Sequence, residues 1–323
     1  MADYLDRFSH LHCDKIDGRP RPHKAVMLLS VSLLIEAGDL AENKILYNHR
    51  LLEIFRSLFA VAKRDSDQPT AHNPFFHLRS EDFWHLHANP GCEEALKHAR
   101  QVKGPGQLRE LVAYASLDPA LHLLLLEPAR RHELQAVLVQ NYLNHVSTPI
   151  WQAIKEESLI AARQQELLDD APVNEDRVID RVRSTAFRRM IRELYDIRCA
   201  ACGVRFFFDE VDLIDAAHLI PFSESGDDRP QNGMALCKNH HWLMDNAILA
   251  PGPGRGGDYS RPIWHVRKGL DARFEEHRAV LEIKEKSVIL PRDRQYAPSR
   301  ASLEWRMARL DAGITSVGLD YAE

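Results

Sequence analysis

Apolar positions in the first part of the chain recur at helical spacing. "YNHRLLEIFRSLFAVAK" puts Leu51, Leu52, Phe55, Leu58 and Phe59 on one stripe and predicts an amphipathic helix. "RPHKAVMLLSVSLLIEAGDL" opens after prolines, stays apolar for longer than a strand allows and ends near Gly38, so it predicts a largely buried helix. "GQLRELVAYASLDPALHLLLLEP" and "ARRHELQAVLVQNYLNH" read as two further helical segments. Between them, "FFHLRSEDFWHLH" sets aromatics around the polar "RSED" and predicts a short β-hairpin. "WQAIKEESLIAARQQELLDD" is a polar helix that reads, with "APVNED", as a connector. Beyond it the pattern changes. "VDLIDAAHLIPF" and "PIWHVR" are strand-like, and "ALCKNHHWLMDNAIL" begins a helix. "PGPGRGGDYSRP" is a loop, and "SRASLEWRMARLDAG" is a polar helix near the end. The expected class is α+β. A mostly helical domain with one hairpin spans 1–150, a helical linker 151–176, a second domain 177–290 and a helical tail 291–323.

At 323 residues the chain has room for two cores. A hydrophobic fraction of 45% with 28% charged residues is that of a globular protein. No apolar run reaches the roughly 20 residues of a membrane span. "MADYLDRFSH" lacks a basic region followed by an apolar one. The expectation is a cytoplasmic chain with no membrane association, in which disulfides are unexpected. A net charge of −5 excludes a generally basic nucleic-acid coat, which leaves local patches to matter. Two stand out: "KIDGRPRPHK", and "DRVRSTAFRRMIR" with five arginines. The second reads either as a DNA-backbone contact or as a solvated helix face.

Of five cysteines, Cys13 and Cys92 stand alone and read as ordinary thiols. The other three share one segment with several histidines. Cys199-x2-Cys202 and Cys237-x2-His240 form two knuckle-like pairs, the four Cys/His ligands that structural zinc takes. His241 follows His240 directly, so on a helix it faces elsewhere. Asp245 lies four residues on, on the face of His241. These two either bind one divalent ion or simply hydrogen-bond. On the first reading the stretch "LCKNHHWLMD" serves two metals.

Upstream, His218 ends a strand-like run before a proline turn, and Asn232 precedes Gly233 just ahead of the expected helix. From "YDIRCAACG" through "DNAIL" the segment resembles the HNH, or ββα-metal, nuclease family, with His218, Asn232 and His241 in the name-giving positions. The resemblance implies His218 as general base for water attack on a phosphodiester. It implies a magnesium or manganese ion on His241. Asn232 would orient the loop carrying His218 or fill a ligand position. Many family members carry a ligand directly before the base; here that residue is Ala217. Asp215, on the same pleat face by strand parity, or Asp245 would complete the metal shell instead.

The earlier region, over roughly residues 10–145, resembles the sulfur-binding domain of phosphorothioate-dependent, McrA-type restriction enzymes. The features are the basic His23–Lys24 pair before a leucine-rich helix and the PFFxL…FWxL pattern. The resemblance places Pro74, flanked by Asn73 and His77, in a pocket loop. Arg19, Arg21, His23 and Lys24 become candidates for neighbouring phosphates. The implied protein is a modification-dependent DNA endonuclease acting on phosphorothioated double-stranded DNA, with a homodimer as the natural way to cut both strands. Two other readings stand beside it. One is an HNH enzyme that reads a modified base such as methylcytosine. The other is a non-catalytic zinc-knuckle DNA-binding protein, disfavoured because His218, Asn232 and His241 are all present.

Overall fold

A computed structural model describes residues 2–16, 18–64, 67–170, 180–208 and 211–312. The chain is α+β and divides into two compact units, residues 1–162 and 163–323. Residues 171–176 of the expected linker and 313–323 of the expected tail lie outside the described residues. Among the described residues no helix is long and apolar enough to cross a membrane.

The first unit runs α1 (Ala2–Ser9), β1 (Lys15–Ile16), β2 (Arg19–Pro20), α2 (His23–Glu36), α3 (His49–Ala62), α4 (His72–His77), β3 (Trp84–Ala88), α5 (Glu93–His98), α6 (Pro105–Leu111), β4 (Val112–Leu117), α7 (Pro119–Leu126) and α8 (Pro128–Tyr142), and α9 (Ser147–Leu168) begins in it and ends in the second. α2 is its hub. Every residue from His23 to Ile35 is buried, and the helix packs against α3, α4, α7 and α8. That follows from a sequence apolar on all sides, which needs cover all round. α3 is amphipathic as its stripe predicts and is capped by Asn48, whose side chain accepts from Leu51 N–H.

The expected hairpin is not formed. "HNPFFH" is the helix α4, and a 3₁₀ turn at Leu78–Ser80 follows it. Only Trp84–Ala88 is a strand, and it pairs antiparallel with Val112–Leu117, a stretch expected to be helical. A proline at the first turn of α7 and of α8 starts each helix afresh.

The second unit runs α10 (Asp180–Leu194), β5 (Phe207–Phe208), β6 (Val211–Asp212), β7 (Ile214–His218), α11 (Phe222–Ser225), β8 (Gly233–Cys237), α12 (Lys238–Asp245), β9 (Leu249–Gly252), β10 (Ile263–Val266), α13 (Glu275–Leu281) and α14 (Arg300–Ala312). β7 pairs antiparallel with β8, from Ile214 opposite Cys237 to His218 opposite Gly233. The segment after Asn232 is therefore a strand before it is a helix, and α12 begins only at Lys238. α10 lies on this pair, burying Phe187, Met190 and Ile191 in one core with Ala217, Met234 and Leu236. α10 comes close at Gly233: an added Cβ would sit 2.2 Å from Ile191 Cδ1. The first residues of the expected glycine-rich loop belong to β9, which pairs with β10.

Candidate functional sites

β7 carries Asp215 and His218, and α12 carries His241. With Arg183, Phe187 and Arg188 of α10 they line one cleft of about 340 Å³. The His218 ring lies flat on Phe187, centroids 3.8 Å apart and planes 4° from parallel. Its Nε2 donates to Asp228 Oδ1 at 2.8 Å, and Nδ1 has no partner among the described residues. Arg183 Nη1 donates to both Asp228 oxygens, at 3.1 and 2.8 Å.

Asn232 is buried, and its whole amide is taken up by its neighbours. Oδ1 accepts from Ile220 N–H and Ser302 Oγ–H, and Nδ2 donates to the Ile220 and Asp227 carbonyls. It clamps the loop after His218 and has no free atom to act as a ligand.

His241 sits between two carboxylates. Nδ1 is 3.4 Å from Asp215 Oδ2, and Nε2 is 3.2 Å from Asp245 Oδ2. Asp215 also takes Lys238 Nζ at 2.8 Å. The hydrogen bond with His241, then that with Lys238, holds its carboxyl at about 2, below the ordinary 3.8. Ala217 is fully buried, while Asp215, nearer the strand's other end, is one-third exposed and leans toward α12. Asp245 lies outside the cleft and takes Arg306 Nη2 at 3.3 Å. Arg306 of α14 also donates to the carbonyls of His218 and Met244, which ties α14 to β7 and α12. Asp228, the particular role of Arg183, and Arg306 escaped the sequence reading. Asp228 lies between His218 and Asn232, where the sequence singles out no aspartate, and Arg306 lies in a tail read only as a helix.

The five arginines of α10 separate. Arg189 and Arg192 are buried, and Arg183 is committed to Asp228. Arg188 is exposed at the cleft, with no ion pair among the described residues.

The ligand atoms of Cys199, Cys202, Cys237 and His240 all lie within 4.8 Å of one another. His240 Nδ1 is 2.9 Å from Cys237 Sγ and 3.5 Å from Cys199 Sγ. The knuckle closes through Gly203, whose φ is +72° and whose N–H donates to the Cys199 carbonyl. Three sulfurs and an imidazole at this separation suit a tetrahedral ion, whose ligand–ligand edges run about 3.8 Å for zinc thiolates. The adjacent histidines thus face two different sites, as helix geometry requires.

In the first unit, Arg21, His23, Lys24, Asn73, Pro74 and His77 line one pocket of about 330 Å³, together with His12, Cys13 and Ser80. The entry to α2 supplies one wall and α4 another. Arg19 is exposed on β2 and is not part of the pocket wall. Lys24 is buried, its Nζ donating to Glu81 at 2.6 Å and to Ser80 at 2.8 Å. His23 is buried and donates from Nε2 to the Gln68 carbonyl. Loss of hydration lowers both His23 and His77 below the ordinary imidazole value of 6.5. Burial pushes the Cys13 thiol up to about 11, so it stays protonated.

Residues 199–250 match the family model of the HNH endonuclease, and residues 1–154 match that of the ScoMcrA-like DNA sulfur-binding domain. The chain therefore joins a DNA sulfur-binding domain to an HNH endonuclease domain. One similar solved structure is described as the sulfur binding domain of SprMcrA complexed with phosphorothioated DNA. It is 18% identical, covers 48% of this chain and 93% of its own, and superposes with a TM-score of 0.37. No curated protein matches the chain.

Proposed function

We propose that this protein is a modification-dependent restriction endonuclease: the first unit engages phosphorothioated duplex DNA and the second hydrolyses a phosphodiester bond. The observation that carries the reading is the pairing, on one chain, of a sulfur-binding match with an HNH match, each with its own cleft.

A nonbridging sulfur is larger and less well hydrated than oxygen, so it loses less on entering an apolar cup. The buried Pro74 ring, the protonated Cys13 thiol and the edge of the His77 imidazole offer such a cup. Asn73 stands beside it with an amide N–H to donate, while His23, its Nε2–H committed to the Gln68 carbonyl, forms part of the wall. Arg21 and Lys24 lie at the same pocket for phosphate oxygens, although Glu81 compensates much of the Lys24 charge. Arg19, exposed on β2, serves the adjoining backbone.

In the nuclease cleft His241 and Asp215 would hold the divalent ion, magnesium or manganese. Asp215 fits better than Asp245, because it shares the cleft with His218 while Asp245 lies at the other ring nitrogen, held by Arg306. When bound, the ion supplies charge stabilisation at the phosphate and the leaving oxygen. His218 Nδ1 takes the proton of the attacking water. Arg188 meets a phosphate of the substrate backbone. The Cys199, Cys202, Cys237 and His240 set holds a structural zinc that fixes α12 against the knuckle. Cutting both strands needs two such centres, which two copies of the chain on one duplex would provide.

Binding tests the first half separately from cleavage. By fluorescence anisotropy, a His218→Ala protein should bind a duplex with a single phosphorothioate at least about tenfold more tightly than its oxygen counterpart. Equal affinities, with tighter binding of a methylcytosine duplex, would assign the pocket to a modified base instead.

A further inference from the structure

We propose that Asp228 is the positioning residue of the nuclease centre. It holds His218 in the tautomer that has a proton on Nε2 and a lone pair on Nδ1. The inference rests on the nuclease reading above for its consequence in catalysis, but its geometry stands independently.

The Asp228 side chain is 1% exposed. A buried carboxylate is costly unless its oxygens are matched by donors. Here the donors are Arg183 Nη1, on both oxygens, and His218 Nε2 on Oδ1 at 2.8 Å. An acceptor-only group facing Nε2 requires the proton there, and a neutral ring then carries its lone pair on Nδ1. Phe187 fixes the plane of the same ring by stacking on it. Arg306 fixes the strand at the His218 carbonyl, at 2.6 Å. The imidazole is thus held at its face, its edge and its backbone, and the atom left unpartnered is Nδ1.

The arrangement also gives Asn232 a definite task. Its amide binds the carbonyl of Asp227, the residue before Asp228, and both polar groups of Ile220. It therefore sets the distance between the strand end carrying His218 and the loop carrying Asp228. Arg183 anchors that loop from the other side, its guanidinium 3.6 Å over the Phe222 ring.

In the reaction, the water oxygen bonds to phosphorus as its proton passes to His218 Nδ1. The bond from phosphorus to the leaving oxygen breaks, its electron pair stays on that oxygen, and solvent supplies the proton. Asp228 remains a carboxylate throughout and stabilises the imidazolium.

Asp228→Asn is the informative variant because it is nearly isosteric. Arg183 needs an acceptor and is closest to Oδ2, so the amide oxygen turns that way and the NH₂ faces His218 Nε2. The tautomer should then invert. With the full chain labelled with ¹⁵N-histidine and His218 assigned by loss in His218→Ala, spectra at about pH 8.5 report neutral rings. Wild type should show His218 protonated at Nε2, and Asp228→Asn should show it protonated at Nδ1. Single-turnover cleavage by Asp228→Asn should fall by about 10² to 10⁴-fold, with DNA affinity changed by less than about threefold. A wild-type His218 protonated at Nδ1 overturns the proposal even if the variant fails to fold. So does an Asp228→Asn protein that cuts within about threefold of wild type. If wild type cuts no duplex, the nuclease reading fails, and the tautomer alone decides whether Asp228 positions the ring.

Discussion

His240 and His241 are neighbours in sequence, but His240 faces Cys199 and Cys237 while His241 faces Asp215 and Asp245, and this makes them separable by mutation. His240→Ala removes one of four ligands from the knuckle, so bound zinc should be lost and the melting of the second unit lowered. His241→Ala should retain zinc and the wild-type melting temperature while cutting falls by about 10²-fold or more. Metal analysis, calorimetry and cleavage on the same preparations check both. Both residues were legible in the sequence because helix periodicity and the x2 spacing are local facts. Asp228 was not, because nothing local tells which aspartate of "SGDD" ends up buried against a residue ten positions back. In the first unit, Lys24 was legible as a cation but not as one compensated by Glu81, 57 residues away. Burial alone would raise the Glu81 carboxyl, yet the hydrogen bonds from Lys24 and His12 prevail and hold it below the ordinary 4.5. A depressed carboxyl contributes stability that is complete above 4.5 and is lost as pH falls through the depressed value. The thermal midpoint of the wild type should therefore drop on acidification below that point. Glu81→Gln, less stable at neutral pH, should show a shallower acid dependence by calorimetry.

Among the elements, helices with a strong stripe or a fully apolar sequence were readable from spacing alone, as α2, α3 and α8 show. β4 was not, and β3 was read as a strand but given the wrong partner, because the two pair across more than twenty residues of sequence. "VAYASL" is short and rich in alanine, which favours a helix until a strand is offered on its flank. β8 was missed for a related reason. "GMALC" is buried at all five positions, so it shows no alternation to mark it as a strand. Its first residue is a point of close approach to α10. Gly233→Ala forces a methyl into Ile191, itself wholly buried, and should cost about 1–3 kcal/mol in urea unfolding, with the m-value unchanged. A cost within about 0.5 kcal/mol would mean that α10 moves aside freely.

At the scale of the whole molecule, the proposed function assigns recognition to the pocket of the first unit and hydrolysis to the cleft of the second. Six of the seven recognition residues named from sequence line a single pocket, and His218 and His241 line a single cleft with Asp215. Sequence motifs picked out residues that the fold gathers into two clusters, but the charge pairing around them became visible only in the fold. The most direct measurement is cleavage of two otherwise identical duplexes, one carrying a single Rp phosphorothioate, with magnesium or manganese present. The account predicts cutting of the sulfur-bearing duplex alone. Equal cutting of both duplexes, or of neither, would contradict it.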